Sequence, residues 1–216
     1  MNDRTAIPVS VDTDTHRGEF FVITSSFWGN GQFPGLEIAN EEALVSPGMQ
    51  GVAPPTGEPD QYPERPHLVH VPEKGGMPRD FEELAGIWIV SQALKDVFAS
   101  VDQDAFAFVA CDFTLADGSP GPQYYFCDVI RTVDALDVPA SRVKVKVDHN
   151  FITGQDEPFY SILGGASLVF NKERVRGAHI FRQPNSGLDP ICDRVMFDAL
   201  AQAHLTGVDL KDAYAL

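Results

Sequence analysis

Two stretches of the chain, offset by 102 residues, follow one plan. In the first, IWIVSQALKDVFASVDQDAFAFVACDF, a short apolar run at Ile87 to Val90 gives way to Ser91, a side chain suited to capping a helix N-terminus. Ala93, Leu94, Val97, Phe98 and Val101 then recur at the three-and-four spacing of one buried helix face, and Phe106 and Phe108 alternate with alanine as a strand requires. In the second, PICDRVMFDALAQAHLTGVDL, Ile191 stands in place of Ile89, Asp193 of Ser91, Met196 of Leu94 and Val208 of Phe106. Each copy reads strand, cap, amphipathic helix, turn, strand. Few residues are identical, so convergence on a common supersecondary unit is the simpler account.

Around these units the chain is rich in strands. GEFFVITSSF (18 to 27) predicts a first strand, ended by Gly29 to Gly31, and the turn cluster TLADGSPGP predicts a hairpin joining 105–113 to the return strand Tyr124 to Ile130. RVKVKV (Arg142 to Val147) alternates strictly, so Val143, Val145 and Val147 should be buried while Arg142, Lys144 and Lys146 face solvent. Ser167 to Phe170 and Ala178 to Arg182 complete the strand candidates. From Pro34 to Pro78 the texture changes, with nine of the sixteen prolines in this segment. Proline lacks the backbone donor that helices and central strands need, so most of the segment is expected to be extended loop, with His67 to Val71 as one short strand. The fold class read from this pattern is α+β: a mixed, mostly antiparallel sheet, two amphipathic helices and a long proline-rich N-terminal loop. One domain over 1–216 is preferred, with 34–78 a surface loop wrapping it.

A formal charge of −15 disfavours unaided binding to nucleic acid or an anionic membrane and favours a basic partner, although acidity also serves solubility. No window is apolar enough to span a membrane, and Cys111, Cys127 and Cys192 form a sparse, odd set in apolar context, as reduced thiols do. A cytoplasmic protein is expected.

No catalytic signature emerges. His67 and His70 lie three apart on a strand and point to opposite faces, and Val11 to His16 lacks the glycine and terminal glutamate of a calcium loop. The cysteines are each followed by aspartate, but their spacing fits no zinc pattern; Cys111 and Cys127 are assigned to paired strands and Asp193 to a helix cap. Nucleophile elbows and phosphate cradles are absent, and no cofactor is implied. A dispersed site built from Asp148, His149 and the cysteines stays open, which would make the chain a small hydrolase or transferase. A structural adaptor is the other open class.

Three blocks do have a familiar order: Pro78, Asp80 and Phe81 followed by Val90, Ser91, Leu94 and Lys95; then Val133 to Asp137; then Ile180 to Arg182 and Leu205 to Gly207. In that order they resemble a family of bacterial immunity proteins of polymorphic toxin systems, long known in its myxobacterial-type members as a domain of unknown function. The likeness covers roughly the C-terminal two-thirds, 79–216. It implies a protein that binds and neutralises a cognate toxin domain without catalysis. A basic toxin such as a nuclease would suit the acidic surface. The candidate contacts are the acids Asp102, Asp104, Asp156 and Glu157, expected in loops, with Phe159 and Tyr160 as aromatic anchors.

Overall fold

A computed structural model describes residues 15–28, 32–150 and 154–216; Gly29 to Gly31 and most of Val11 to His16 lie outside them. The fold is α+β and mostly antiparallel, as the sequence implies. Strands β1 (Phe20–Ser25), β11 (Ile180–Phe181), β12 (Ile191–Asp193) and β13 (Val208–Asp212) form one antiparallel sheet in the order β11-β12-β1-β13. A second antiparallel sheet runs β4-β5-β8-β6, from β4 (Phe81–Leu84), β5 (Ile87–Ser91), β8 (Tyr124–Val129) and β6 (Phe106–Ala110).

The amphipathic helices α2 (Gln92–Asp102) and α4 (Arg194–Ala203) pack between these sheets and against each other. Period-two alternation decides which side chains meet them. Phe21, Ile23, Trp88 and Val90 face the helices, joining Leu94, Phe98, Met196 and Leu200 in a central core. Phe20 and Val22 face a second core with Ala135, Leu168 and Phe170, while Ile87 and Ile89 face a third with Leu36, Leu44 and Leu68. Both faces of each sheet are covered, which is why FFVI and IWIV are apolar throughout. The helix face is narrower than its spacing implies: Leu94 and Phe98 are buried, but Ala93 is exposed, because its short side chain sits at the solvent edge of the stripe.

The proline-rich segment is mostly irregular, yet it is more than a wrap. It supplies β2 (Leu36–Ile38), the single-turn helix α1 (Glu41–Leu44) and β3 (His67–His70), and β3 pairs in parallel with β7 (Asp112–Thr114). Leu36, Ile38, Leu44, Val52 and Leu68 from this segment are buried. Ser167 to Phe170 forms only isolated bridges, with Arg142 and Leu136.

The likeness between the two halves is wider than one supersecondary unit. In each sheet an edge strand (β4 or β11) precedes the strand that leads into a helix (β5 or β12); the strand after the helix (β6 or β13) lies two places away, with a third strand (β8 or β1) between. The caps match as well. Ser91 accepts from Leu94 N–H (3.2 Å) and donates its hydroxyl to Asp80 (2.8 Å); Asp193 accepts from Val195 and Met196 N–H and pairs with His179 (2.8 Å). Asp80 and His179 each immediately precede the edge strand, and each accepts through its carbonyl from the backbone N–H of the cap residue.

These two residues also bind across the halves. Asp80 takes the N–H and hydroxyl of Thr206, in the turn after α4, at 2.8 and 2.7 Å; the His179 N–H donates to Asp102 at the end of α2 at 2.9 Å. Beside this seam Glu82, 2% exposed, binds Arg79 and the Trp28 indole N–H, and Arg79 reaches Ser26. Gly207 fits here because its φ is +87° and a Cβ would meet the Phe81 carbonyl oxygen at 2.2 Å.

Burial by itself would raise the Asp80 carboxyl, but the hydrogen bonds from Thr206 and Ser91 outweigh it and hold the group below its ordinary range. Replacing Asp80 by alanine leaves Thr206 and Ser91 without their acceptor and should cost about 2 kcal/mol in denaturant unfolding at neutral pH. A carboxyl depressed in the folded state stabilises fully above its unfolded value of ~3.9 and loses that contribution as pH falls through the folded value. The gap between wild type and Asp80→Ala should therefore shrink as the pH is lowered below that range.

Candidate functional site

The sequence-predicted contact residues separate into two places. Asp102 and Asp104 lie where α2 passes into a 3-10 turn, whereas Asp156, Glu157, Phe159 and Tyr160 share β10 (Gln155–Ser161). Asp102 is only 11% exposed: its carboxylate pairs with Arg131 and accepts the His179 N–H, so it belongs to the seam between the halves. Asp104 is exposed.

β10 pairs antiparallel with β9 (Lys144–Asn150) in a ribbon of two strands, separate from the sheets that enclose the cores. The alternation RVKVKV does place its valines on one face, but only Val143 is packed, against the second core. Val145 and Val147 are 49% and 76% exposed because the ribbon runs beyond the body that would cover them. Tyr160, opposite Val145, anchors the base on the same core, and its N–H donates to the Asn185 carbonyl.

Charge gathers at the other end. Asp148 lies directly opposite Glu157, and His149 opposite Asp156, with the imidazole Nδ1 2.8 Å from the carboxylate. Glu157 accepts from the Asn150 amide at 3.2 Å, and Asp148 accepts its neighbour's N–H. Two carboxylates directly across a strand pair repel, which weakens the pairing at that position. Asp148, His149, Glu157, Pro158 and Phe159, with Asn185, line a cleft of about 200 Å³. Asp156 and Glu157 are on a strand, not in loops as anticipated, and the strict Lys/Val alternation of the neighbouring strand was the signal that could have drawn attention to the ribbon.

The dispersed catalytic arrangement does not form. Cys127 and Cys192 are sealed in the central core and Cys111 in the third, whereas Asp148 and His149 stand on the exposed ribbon. Burial pushes the Cys111 thiol up to about 12, and it raises Cys127 and Cys192 strongly as well, so thiolate is scarce at neutral pH. His67 bonds the Thr114 hydroxyl (2.8 Å), and no group of three histidines, cysteines or carboxylates could hold a metal ion among the described residues. Among the described residues no helix is long and apolar enough to cross a membrane.

A sealed interior thus lies beside an exposed, charged ribbon. The chain belongs to the immunity protein family Imm11, which it matches over residues 19–215. The match reaches past the C-terminal two-thirds where the motifs lie and takes in the proline-rich segment. No curated protein matches the chain.

The motifs that resemble the family meet at structural joints. Asp80 accepts from both Ser91 and Thr206, and Gln183, next to Ile180 to Arg182, accepts from the Ala135 and Leu136 N–H groups and donates to Asp134. Local patterns could not show Trp28, Arg79, Glu82 or Gln183, whose partners are mostly far away in sequence.

If the thiols are sealed as the cores imply, none of the three should react with a thiol-specific reagent in the native protein at pH 8, and all three should react once denaturant is added. Rapid native labelling of any one would contradict the assignment.

Proposed function

We propose that this chain neutralises a cognate toxin domain by binding it stoichiometrically, without catalysis, and that the acidic end of the β9–β10 ribbon guides the encounter. Family membership supports the immunity role. The observation that carries the finer reading is the Asp148–Glu157 pair: two carboxylates held opposite each other on an exposed ribbon, with Asp156 beside them. A lysine or arginine from a partner converts that repulsion into attraction on binding, so such a site selects a basic surface. The formal charge of −15 acts in the same sense at longer range, speeding approach of a basic domain. A toxin whose cleft binds a polyanion, as a nuclease's does, has the required chemistry. Tyr160 and Phe159 at the ribbon base are the aromatic contacts nearest these acids along β10. Such an encounter would take place in the cytoplasm of the producing cell.

The test is a stopped-flow measurement of association between the protein and the toxin domain encoded with it. Replacing Asp156 and Glu157 by Asn and Gln, together with Asp104→Asn, should slow association roughly tenfold at low salt and much less at high salt. Asp102 is left intact, because its loss would disturb the Arg131 and His179 contacts. Unchanged rates at low salt would remove these acids from the encounter surface.

A further inference from the structure

The ribbon has two edges of different character. Along β10, Pro158 has no N–H to offer and the Tyr160 N–H is spent on Asn185, so this edge is closed to further pairing. The same two residues fix the phase of the ladder. Tyr160 directs its backbone away from β9, so the antiparallel partners Val145 and Val147 direct theirs away from β10. Among the described residues no strand pairs with β9 on that side.

An open strand edge is a template for another strand, and lysines are a common way to blunt it. Lys144 and Lys146 do blunt it against a generic strand. The order Lys146, Val147, Asp148 is selective: an antiparallel strand laid along this edge needs an acid opposite Lys146, an apolar residue opposite Val147 and a base opposite Asp148. Read in its own direction, that strand runs base, apolar, acid. β9 itself has this order.

We infer that the occupant of the β9 edge is β9 of a second copy of this chain, joining two ribbons into a four-stranded sheet about a twofold axis. The register pairs Val147 with its own copy and places Lys146 beside Asp148 of the other chain, twice by symmetry. The other register that keeps both faces and pairs Val145 with Val147 puts Lys146 against Lys146, which disfavours it. In the chosen register the column across the sheet becomes Glu157, Asp148, then lysine of the second copy, which offsets the carboxylate repulsion. Asp156 and Glu157 lie on the outer strands, clear of the new interface, whereas Asp148 serves both readings, so a toxin's base would compete for it with Lys146 of the second copy.

Sedimentation equilibrium on the full chain tests this, with no partner added. A dimer is expected, and Val147→Pro should make it monomeric with an unchanged thermal melt, since the Val147 N–H serves no bond within the ribbon. Lys146→Asp and Asp148→Lys should each weaken dimerisation roughly tenfold, because every pair occurs twice, and the double variant should restore it. Restoration is the outcome a general loss of folding could not give. A wild-type chain that stays monomeric up to ~1 mM would overturn the inference, as would a dimer indifferent to Val147→Pro or to the charge exchange. If a monomeric wild type nonetheless binds toxin, the edge serves no second copy while the immunity reading stands.

Discussion

The Asp80 carboxylate is the point on which the two halves of the fold turn. Through Ser91 it steadies the N-terminus of α2, and through Thr206 it holds the turn that leads from α4 into β13. A single side chain thereby fixes one half's cap to the other half's helix exit. The reciprocal link, from His179 to Asp102, closes the arrangement from the other side. Hydrogen bonds of this kind add modest net stability, but leaving any one partner unpaired in a partly buried seam is expensive, so the network specifies a single docking of the sheets.

This seam explains the character of the family-like motifs. They resemble a functional signature in sequence, yet their side chains cap helices, close turns and join sheets. Gln183 plays the equivalent part for the segment TVDALDVPAS, binding two backbone N–H groups and Asp134 while Asp137 receives the Ala140 N–H. Scaffold residues therefore carry the resemblance, and the exposed end of the ribbon presents Asp148, Asp156 and Glu157. A scaffold fixed by internal contacts can support a recognition surface whose residues answer to the partner alone.

What the sequence makes legible is what depends on near neighbours. Both strand–cap–helix–strand units, the pairing of Phe106–Ala110 with the strand through Tyr124 and the caps Ser91 and Asp193 follow from periodicity and local hydrogen-bond chemistry, whereas the expected strand over 105–113 breaks at Cys111 and its end, β7, pairs with β3 instead. Parts set by distant partners are harder to see. The RVKVKV alternation gives the right faces but not the exposure, because nothing local shows that the body ends at Val143. Asp102 reads as a free acid until Arg131 and His179 are placed beside it. The proline-rich segment reads as loop, and its burial of Leu36, Leu44 and Leu68 depends on β7, more than forty residues further along the chain from β3.

Under the proposed function, protection comes from occupancy and not from chemistry. Titrating a fixed amount of active toxin domain with this protein, and following toxin activity over time, tests it most directly. Activity should fall linearly to zero at one binding site per toxin, with no further change on incubation and full recovery when the complex is dissociated. Progressive inactivation by substoichiometric protein, or lasting damage to the toxin after separation, would contradict it.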